Sequence, residues 1–312
     1  MLMRNPRPLS AYSDELRRVM AEVGPVWGRD IRRHRDLVWA AFEPLLREAP
    51  RDGVVRVAGL RYGDHPRQVL DVYRPAMSPA KRPVVVFVHG GAFVRGERDI
   101  SPLAYANVLT WFARQGCVGI NMEYRLAPEI RYPLGADDVA AAVAWAREHV
   151  DEYGGDPERI LLVGHSAGGT HVATFACDPV AGYMGEGACG VVLVSARLRA
   201  DRLAVNPNAA GVEAYFGAND ALLDARSPVT HAHALAVPAF FVIAQYDNPL
   251  LDVYGVEMAH RVAVAQGHAP NLLRLAGHNH TSIVAHFNTA EEILGDEILA
   301  FLDTIPAAIS RS

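Results

Sequence analysis

A serine stands between two glycines directly after an apolar run, and its hydroxyl is the first candidate nucleophile of the chain. The run Arg159–Val163 predicts a buried strand, and Gly164-His165-Ser166-Ala167-Gly168 follows it. This G-x-S-x-G spacing is typical of a sharp turn from strand to helix that presents one hydroxyl. The two glycines leave room where side chains would collide as the chain reverses. Because so short a pattern also occurs by chance, the chemistry depends on partners elsewhere in the chain.

The acid of a catalytic triad is expected after a late strand. Serine is a poor nucleophile unless a base takes its proton and a third group orients that base. In the order nucleophile, acid, base, the predicted strand Ala239–Ala244 leads to Asp247. Asp252 is a weaker alternative because it lies at the start of the following helix, and Asp224 is weaker still because it precedes the strand.

Two histidines compete for the role of the base. The predicted strand Asn271–Leu275 is followed by Ala276-Gly277-His278-Asn279-His280. Either imidazole lies in the loop where a base for Ser166 is expected, and the spacing leaves the choice between His278 and His280 open. The other histidine is expected to line the pocket or to pack beside it.

A pair of glycines follows another predicted strand and suggests an oxyanion hole. His89-Gly90-Gly91-Ala92-Phe93 comes directly after Val84–Val88. Adjacent glycines let backbone N–H groups turn toward a ligand, as in HGGG-type motifs. We expect the amides of Gly91, Ala92 and Ala167 to stabilise an oxyanion. The further candidates for the pocket are His89, Phe93, His165 and His278.

The rest of the composition excludes other chemistries. His231-x-His233 has neither a cysteine nor an acidic run beside it, so we predict no metal. The glycine-rich stretch 164–169 lacks the Lys-Ser/Thr of a phosphate loop, and no cofactor is predicted. A net charge of -5 without a basic stripe argues against a nucleic-acid partner. The three scattered cysteines Cys117, Cys177 and Cys189 predict free thiols rather than disulfides.

No membrane partner is expected either. No stretch approaches the roughly 20 apolar residues that span a bilayer, and Met1–Glu22 is interrupted by arginines and has no apolar core of a signal peptide. We therefore predict a cytoplasmic protein. The sequence leaves the oligomeric state open, with a homodimer through an edge strand or an outer helix as one alternative.

The elements that must position these residues alternate between strand and helix. Short Val/Ile/Leu strands separated by helices indicate an α/β fold, with a mainly parallel sheet of about eight strands covered on both faces. Val54–Leu60 and Gln68–Tyr73 form the expected antiparallel entry pair. The later predicted strands are Pro83–Val88, Cys117–Met122, Ile160–Val163, Val191–Val194, Ala239–Ala244 and Leu272–Leu275. The predicted helices are Leu103–Gln115, Gly135–Val150, Ala167–Ala176, Val253–Gln266 and Thr289–Leu302. Thr289 and Glu292 have the spacing of a capping box.

The first fifty residues differ from the rest of the chain. Leu16, Val19, Met20 and Val23 recur at i, i+3, i+4 and i+7, which predicts one face of an amphipathic helix. Leu37–Leu46 predicts a second helix. Trp27, Trp39 and Phe42 are expected mainly in the core of this N-terminal segment. We therefore predict an N-terminal helical cap segment over residues 1–50 and a catalytic domain over residues 51–312.

Together these motifs resemble a known family. Over about residues 65 to 305 the chain is similar to α/β-hydrolases of the hormone-sensitive-lipase-like carboxylesterase branch, with features of the feruloyl-esterase-like and arylformamidase-like relatives. The resemblance is carried by His89–Phe93, Glu123–Glu129, Tyr132-Pro133, Asp137-Asp138, Trp145, Gly164–Gly169, Tyr246–Leu250 and Gly277-x-x-His280. It implies that His280 is the base, that Asp247 is the acid, and that the N-terminal helices cover the acyl pocket.

The resemblance implies a serine hydrolase that cleaves small to medium carboxylic esters through an acyl-enzyme and needs no cofactor. Ala92 replaces the third glycine of HGGG, so the oxyanion loop carries an extra methyl group. The segment from Tyr215 to Pro228 is closer to the feruloyl-esterase and arylformamidase relatives, which makes long-chain lipids poor substrates. One alternative is an arylformamidase or amidase for N-formyl aromatic amines. The other is a non-catalytic hydrolase-fold protein that binds a ligand.

Overall fold

A single sheet forms the centre of the protein. The computed structural model describes residues 8–77, 81–99 and 104–306. The eight strands in these residues follow the order β1-β2-β4-β3-β5-β6-β7-β8. Their bounds are β1 Val54–Arg61, β2 Val69–Pro75, β3 Arg82–Val88, β4 Val118–Met122, β5 Gly155–His165, β6 Gly190–Val194, β7 Ala239–Tyr246 and β8 Asn271–Asn279.

Of the eight strands in the described residues, only β2 runs opposite to the others. β1 pairs antiparallel with β2, and β2 pairs antiparallel with β4. All pairs from β4 and β3 through to β8 are parallel. This confirms the predicted α/β fold with its mainly parallel sheet. Because parallel strands share a direction, their carboxyl ends meet at one edge, where an active site is commonly built.

Helices cover both faces of the sheet. The α-helices are α1 Asp14–Val23, α2 Ile31–Glu48, α3 Ala106–Arg114, α4 Leu134–His149, α5 Ala167–Cys177, α6 Ala209–Phe216, α7 Asp220–Leu223, α8 Leu251–Gln266, α9 Ser282–Ala285 and α10 Ile293–Thr304. Within the part of the chain that the structure describes, 3-10 helices span Gly24–Arg29, Val150–Tyr153 and Pro228–Ala234. None of the helices within the described residues is long and apolar enough to cross a membrane.

The alternation of side chains along β3 explains the two apolar layers. Val84, Val86 and Val88 enter a core with α4, α5 and α8, whereas Val85 and Phe87 enter the opposite core with α3 and α10. Successive side chains of a strand point to opposite faces, so a strand that is apolar throughout must be covered on both. Because its side chains are apolar on both faces, β3 must lie in the interior of the sheet with helices on either side.

The N-terminal helices pack as a separate cluster against the end of the sheet. Leu16, Met20 and Val23 of α1 are buried with Trp27, and Val19 is only partly buried. The remaining buried members of this cluster are Tyr12, Val38, Phe42, Leu46 and Ala285. The cluster thus includes a residue of α9 beside the sheet edge. The predicted division into residues 1–50 and 51–312 stays a prediction, and parts of both segments lie outside the described residues.

Some predicted boundaries are wrong for identifiable reasons. The capping box at the last helix does not form, because α10 begins at Ile293 with no side-chain cap. Thr289 instead bonds His286 O through its hydroxyl, and Glu292 accepts from the indole of Trp111 at 3.0 Å. The strand predicted to end at Leu275 continues as β8 to Asn279. The predicted start of the third helix at Leu103 lies outside the described residues.

Candidate active site

The candidate groups come together at the carboxyl edge of the sheet. Ser166 directly follows β5, and Asp247 directly follows β7. His280 directly follows β8, and Gly91 lies in the loop after β3. Four loops that are far apart in sequence therefore meet because their strands are parallel neighbours or near neighbours.

The serine lies on a backbone turn that few residues adopt. Ser166 has φ 55° and ψ -119°, and it caps the N-terminus of α5. A side chain on Gly168 would place its Cβ 2.1 Å from Val88 O. A side chain on Gly164 would come within 2.6 Å of Gly169 Cα. Both glycines of the motif are thus required by close backbone approach, as their spacing indicates.

A chain of hydrogen bonds joins the serine, a histidine and an aspartate. Ser166 Oγ lies 3.0 Å from His280 Nε2. His280 Nδ1 lies 2.7 Å from Asp247 Oδ1. Because a carboxylate only accepts, Nδ1 carries the proton and Nε2 is free to accept the serine proton. This is the geometry of a nucleophile, a base and an orienting acid.

The aspartate is buried and supplied with several donors. Its side chain is 1% exposed. Ser195 Oγ donates to Asp247 Oδ2 at 2.6 Å, and the amide of Asn248 donates to Oδ1 at 2.8 Å. Burial raises the pKa of this carboxyl, but hydrogen bonding and charge interaction with His280, together with the donors Ser195 and Asn248, lower it below its ordinary value. Asp247 is therefore held as the carboxylate.

The loop that carries His280 is braced on both sides. His165 Nε2 lies 3.0 Å from His280 O, so the imidazole donates to the backbone carbonyl of His280. Behind the loop, His278 bonds Glu291 through Nε2 at 3.0 Å and Ser282 through Nδ1 at 3.1 Å. His278 is fully buried in these contacts. The structure therefore separates the two histidines: His280 contacts the serine and His278 supports the loop.

The predicted oxyanion loop has the backbone of a tight turn. Ala92 has φ 51° and Phe93 has φ 71°. Gly91 has φ 156°, and a Cβ there would lie 1.7 Å from Arg95 O. Gly91 and Ala92 line the same cavity as Ser166. Ala167 is the first residue of α5, so its amide has no acceptor within the helix.

A buried hydrogen bond between a histidine and a glutamate supports this loop from below. His89 Nε2 lies 2.8 Å from Glu123 Oε1, and His89 is fully buried. Glu123 also accepts from the guanidinium of Arg67 and from the amide of Arg98 at 3.0 Å. Burial raises the pKa of Glu123, while His89, the Arg98 amide and Arg67 lower it below its usual range. The carboxylate thereby fixes the start of the loop.

A cavity of about 760 Å³ opens above the serine. Of the predicted pocket residues, His165 lines it. His89, Phe93 and His278 do not, which corrects the pocket prediction: His89 and His278 are bound to buried carboxylates, and Phe93 stacks on Tyr215 at 4.8 Å. Residues that were not predicted from the sequence as pocket residues also line it, namely Ile31, Arg32, Arg35, Asp36, Gly90, Arg95, Gly96, Tyr105, Pro207, Asn208, Asn248, Thr281 and Val284.

The N-terminal segment supplies one wall of this cavity. Trp27 and Trp39 both line it. Trp27 is also part of the buried N-terminal cluster, and its indole donates to Asn248 Oδ1 at 2.8 Å. Phe42 is buried in that cluster and does not line the cavity. The helical spacing could have indicated a packed face, but not which aromatic residues reach the site.

The described residues contain no group of three or more potential metal ligands. His231 bonds the carbonyl of Ala225 at 2.8 Å instead. Cys117, Cys177 and Cys189 are free and buried. The residues that line the cavity include Ser166, His280 and the loop residues Gly91 and Ala92. They can supply a nucleophile, a group that carries a proton, and backbone hydrogen-bond donors.

Comparisons with known proteins agree with the fold and with the motifs. The BD-FAE family model matches residues 70–181, which include the oxyanion loop and the serine turn. The chain is 47% identical over 116 residues to esterase LipC of Mycobacterium tuberculosis, which covers 37% of this chain and 28% of the relative. It is 29% identical over 268 residues to para-nitrobenzyl esterase of Bacillus subtilis, covering 77% of this chain and 53% of the relative.

A solved structure extends the likeness to nearly the whole chain. An esterase of Pyrobaculum calidifontis superposes with a TM-score of 0.70 at 24% identity, covering 94% of this chain and 98% of that one. The chain therefore has the α/β-hydrolase fold, and the predicted resemblance to carboxylesterases is confirmed. The chain spans less than two thirds of the length of LipC and of para-nitrobenzyl esterase.

Proposed function

We propose that this protein hydrolyses small to medium carboxylic esters through an acyl-enzyme on Ser166. The observation that carries the proposal is the continuous hydrogen-bond chain from Ser166 Oγ through His280 to the buried Asp247, at 3.0 and 2.7 Å. The esterase relatives support the same reaction type.

The first half of the reaction forms the acyl-enzyme. Ser166 Oγ attacks the ester carbonyl carbon as its proton passes to His280 Nε2. The carbonyl oxygen becomes an oxyanion that accepts hydrogen bonds from the amides of Gly91, Ala92 and Ala167. Asp247 stabilises the imidazolium. The intermediate collapses when His280 gives the proton to the leaving alkoxide, and the alcohol departs.

The second half returns the free enzyme. Water attacks the acyl carbon while His280 accepts one of its protons, and the same amides hold the second oxyanion. Collapse expels Ser166 Oγ, which takes the proton back from His280, and the carboxylic acid leaves. The reaction consumes one water and requires no cofactor.

The proposal predicts that Ser166→Ala abolishes turnover of short para-nitrophenyl esters. Removal of a triad nucleophile leaves only the residual catalysis of the oxyanion site, so kcat is expected to fall by about 10⁶. Absorbance at the nitrophenolate band measures the rate, and circular dichroism checks that the variant is folded. Turnover by the pure variant within tenfold of wild type would contradict the proposal.

The same assay separates the alternatives. An arylformamidase would hydrolyse an aryl formamide faster than the matched aryl ester, whereas we expect the ester to react faster. A non-catalytic binding protein would hydrolyse neither substrate, although it would bind them.

A further inference from the structure

Three arginines stand in the wall of the cavity above Ser166. Arg32 and Arg35 are three residues apart on α2 and share one face of that helix, while Arg95 belongs to the loop after β3. Asp36 is the one acidic side chain among the described residues that line the cavity. Three guanidinium groups less one carboxylate leave two positive charges there, although the whole chain has a net charge of -5.

Two of the three wall arginines, Arg32 and Arg95, lack the carboxylate partners that other arginines of this protein have. Arg125 pairs with the buried Asp138 at 2.8 Å, and Arg197 pairs with Asp201 at 2.8 Å. Within the described part of the chain, no ion pair involves Arg32 or Arg95. Arg35 pairs with its chain neighbour Asp36 at 2.8 Å. Positive charge at this wall is therefore only partly compensated.

Arg95 and Arg35 bring charges of the same sign to one cavity. Arg95 Nη2 donates to the neutral amide oxygen of Asn208 at 3.0 Å. Loss of bulk water and the like charge of Arg35 lower the pKa of the Arg95 guanidinium. Like charges in one cavity repel each other, and a bound anion that interacts with both guanidinium groups would offset this repulsion.

The remaining walls fit an apolar body. Trp27, Trp39 and Tyr105 line the same cavity as the arginines. Arg95 is close to the oxyanion loop, because its amide donates to Gly91 O at 3.1 Å. A substrate would thus meet backbone donors, aromatic surfaces and guanidinium groups within one cavity.

We propose that the substrate is an ester that also carries a carboxylate, with the carboxylate bound by Arg95 and Arg35 and drawn in by Arg32. This inference depends on the proposed ester hydrolysis and specifies its substrate class. A guanidinium binds a carboxylate through two parallel hydrogen bonds, so the arginines supply orientation as well as charge. The aromatic walls hold the apolar part that links the carboxylate to the ester.

The test compares esters that differ only in this charge. One pair places the charge on the alcohol side, with para-acetoxybenzoate against para-acetoxybenzamide. The other places it on the acyl side, with the para-nitrophenyl monoester of adipate against its neutral monoamide. We expect kcat/KM to favour the carboxylate in at least one pair by about tenfold or more, mainly through KM, because charge-assisted hydrogen bonds are the stronger class.

The variants identify the groups responsible. Arg95→Gln and Arg35→Gln should each reduce the carboxylate preference by about fivefold or more. Arg95→Lys should recover part of it, since the charge is kept while the forked geometry is lost. Arg261→Gln removes an arginine on α8 that pairs with Glu257 and lies outside the cavity, and it should leave the preference unchanged.

A binding measurement separates this inference from the proposed activity. Calorimetry with Ser166→Ala should show that adipate or para-hydroxybenzoate binds more tightly than its amide, and that Arg95→Gln removes the difference. Ser166-dependent hydrolysis without any preference for the carboxylate, in both pairs, would overturn the inference and leave the esterase proposal intact. Preferential binding of the carboxylate without hydrolysis would support the anion site and overturn the esterase proposal.

Discussion

Asp247 illustrates how a single buried residue is committed to one charge state. Its two oxygens accept from His280, Ser195 and the amides of Ala244 and Asn248, so the charge taken out of water meets four nearby donors. A buried carboxylate with these donors holds the imidazole in the tautomer that the serine needs. The role proposed for Asp247 therefore depends on its charge as well as its shape.

Replacement of Asp247 by asparagine tests this role. Asp247→Asn keeps the size of the side chain but allows it to donate to His280 Nδ1, which favours the wrong tautomer. We expect kcat for para-nitrophenyl esters to fall by about 10³–10⁴ with little change in KM. Steady-state kinetics at neutral pH measure the loss.

Asp252→Asn is the matched control. Asp252 was the alternative acid from the sequence, and it lies in the first turn of α8. Its replacement should leave kcat within about twofold of wild type. If the two variants were equally impaired, or if Asp247→Asn kept wild-type activity, the assignment of the acid would be wrong.

Single residues also show which parts of the site the sequence does not predict. Asp247 could be selected because it ends a predicted strand, but His278 and His280 lie in the same short segment and differ only in their contacts. Ser195 has no sequence signal beyond its place after β6, yet it donates to Asp247. Contacts between loops that are distant in the chain have no periodicity, so the sequence alone does not predict them.

The oxyanion loop is the element whose backbone matters most to the proposed reaction. It leaves β3 through His89, whose imidazole is fixed by Glu123. Gly91 then passes so close to Arg95 O that any side chain would collide, with Cβ at 1.7 Å. A methyl group there must move the loop, and the amides of the loop move with it.

We therefore expect Gly91→Ala to lower kcat by about 10²–10³, the loss observed when one oxyanion donor is removed. The reaction rate of a fluorophosphonate at Ser166 should fall in parallel, because its phosphoryl oxygen uses the same amides. Gly28→Ala is the control, since its Cβ would contact Pro249 at 3.9 Å without strain. Wild-type activity in folded Gly91→Ala would contradict the assigned oxyanion site.

Strands with a continuous apolar pattern could be predicted from the sequence, whereas the residues at which helices and strands begin or end could not. The valine run of β3 and the apolar strand before Asp247 indicate buried parallel strands, and both form. The capping box failed because α10 begins only at Ile293, which makes Glu292 rather than Thr289 the N-cap residue, and Glu292 is bonded to the indole of Trp111. β8 continues beyond its apolar residues because Asn279 pairs with Tyr246 and His278 is buried in the protein. Tertiary contacts override local preference at such ends.

At the scale of the whole molecule, several histidines are buried in their neutral form. Burial lowers the pKa of His165 and of His171 to about 3 and that of His286 to about 4. In the unfolded chain these groups titrate near 6.5. Between those values the unfolded state binds more protons, so the free energy of unfolding falls as the pH is lowered below about 6.5. The protein is therefore expected to lose stability in mild acid.

His171 gives the sharpest test of this pH dependence. Its ring is enclosed by Tyr124 and Tyr215, and neither nitrogen has a hydrogen-bond partner within the described residues. His171→Leu removes one titrating group, so the pH slope of the unfolding free energy between pH 4 and 6 should flatten by about 1.4 kcal/mol per pH unit at most. Urea unfolding at several pH values measures the slope.

The exposed His260 provides the comparison, because His260→Leu changes the same residue type away from the core. Equal slopes in wild type and in His171→Leu would show that His171 does not contribute to the loss of stability in acid.

The N-terminal segment packs on α9 and also lines the cavity above Ser166. Its helices contribute Trp27, Trp39 and the arginines of α2 to the cavity, while its core packs on α9. The predicted helical face of α1 could be read from its spacing. That the segment would line the cavity was implied only by the family resemblance, because spacing does not specify where a packed face docks.

The central claim is that Ser166 is a nucleophile activated by His280. Intact-mass analysis after reaction with a fluorophosphonate tests it most directly, followed by peptide mapping of the adduct. The account predicts one covalent adduct per chain, located at Ser166, absent in Ser166→Ala and strongly slowed in His280→Ala. An unlabelled wild-type protein, or an adduct on any other residue, would contradict it.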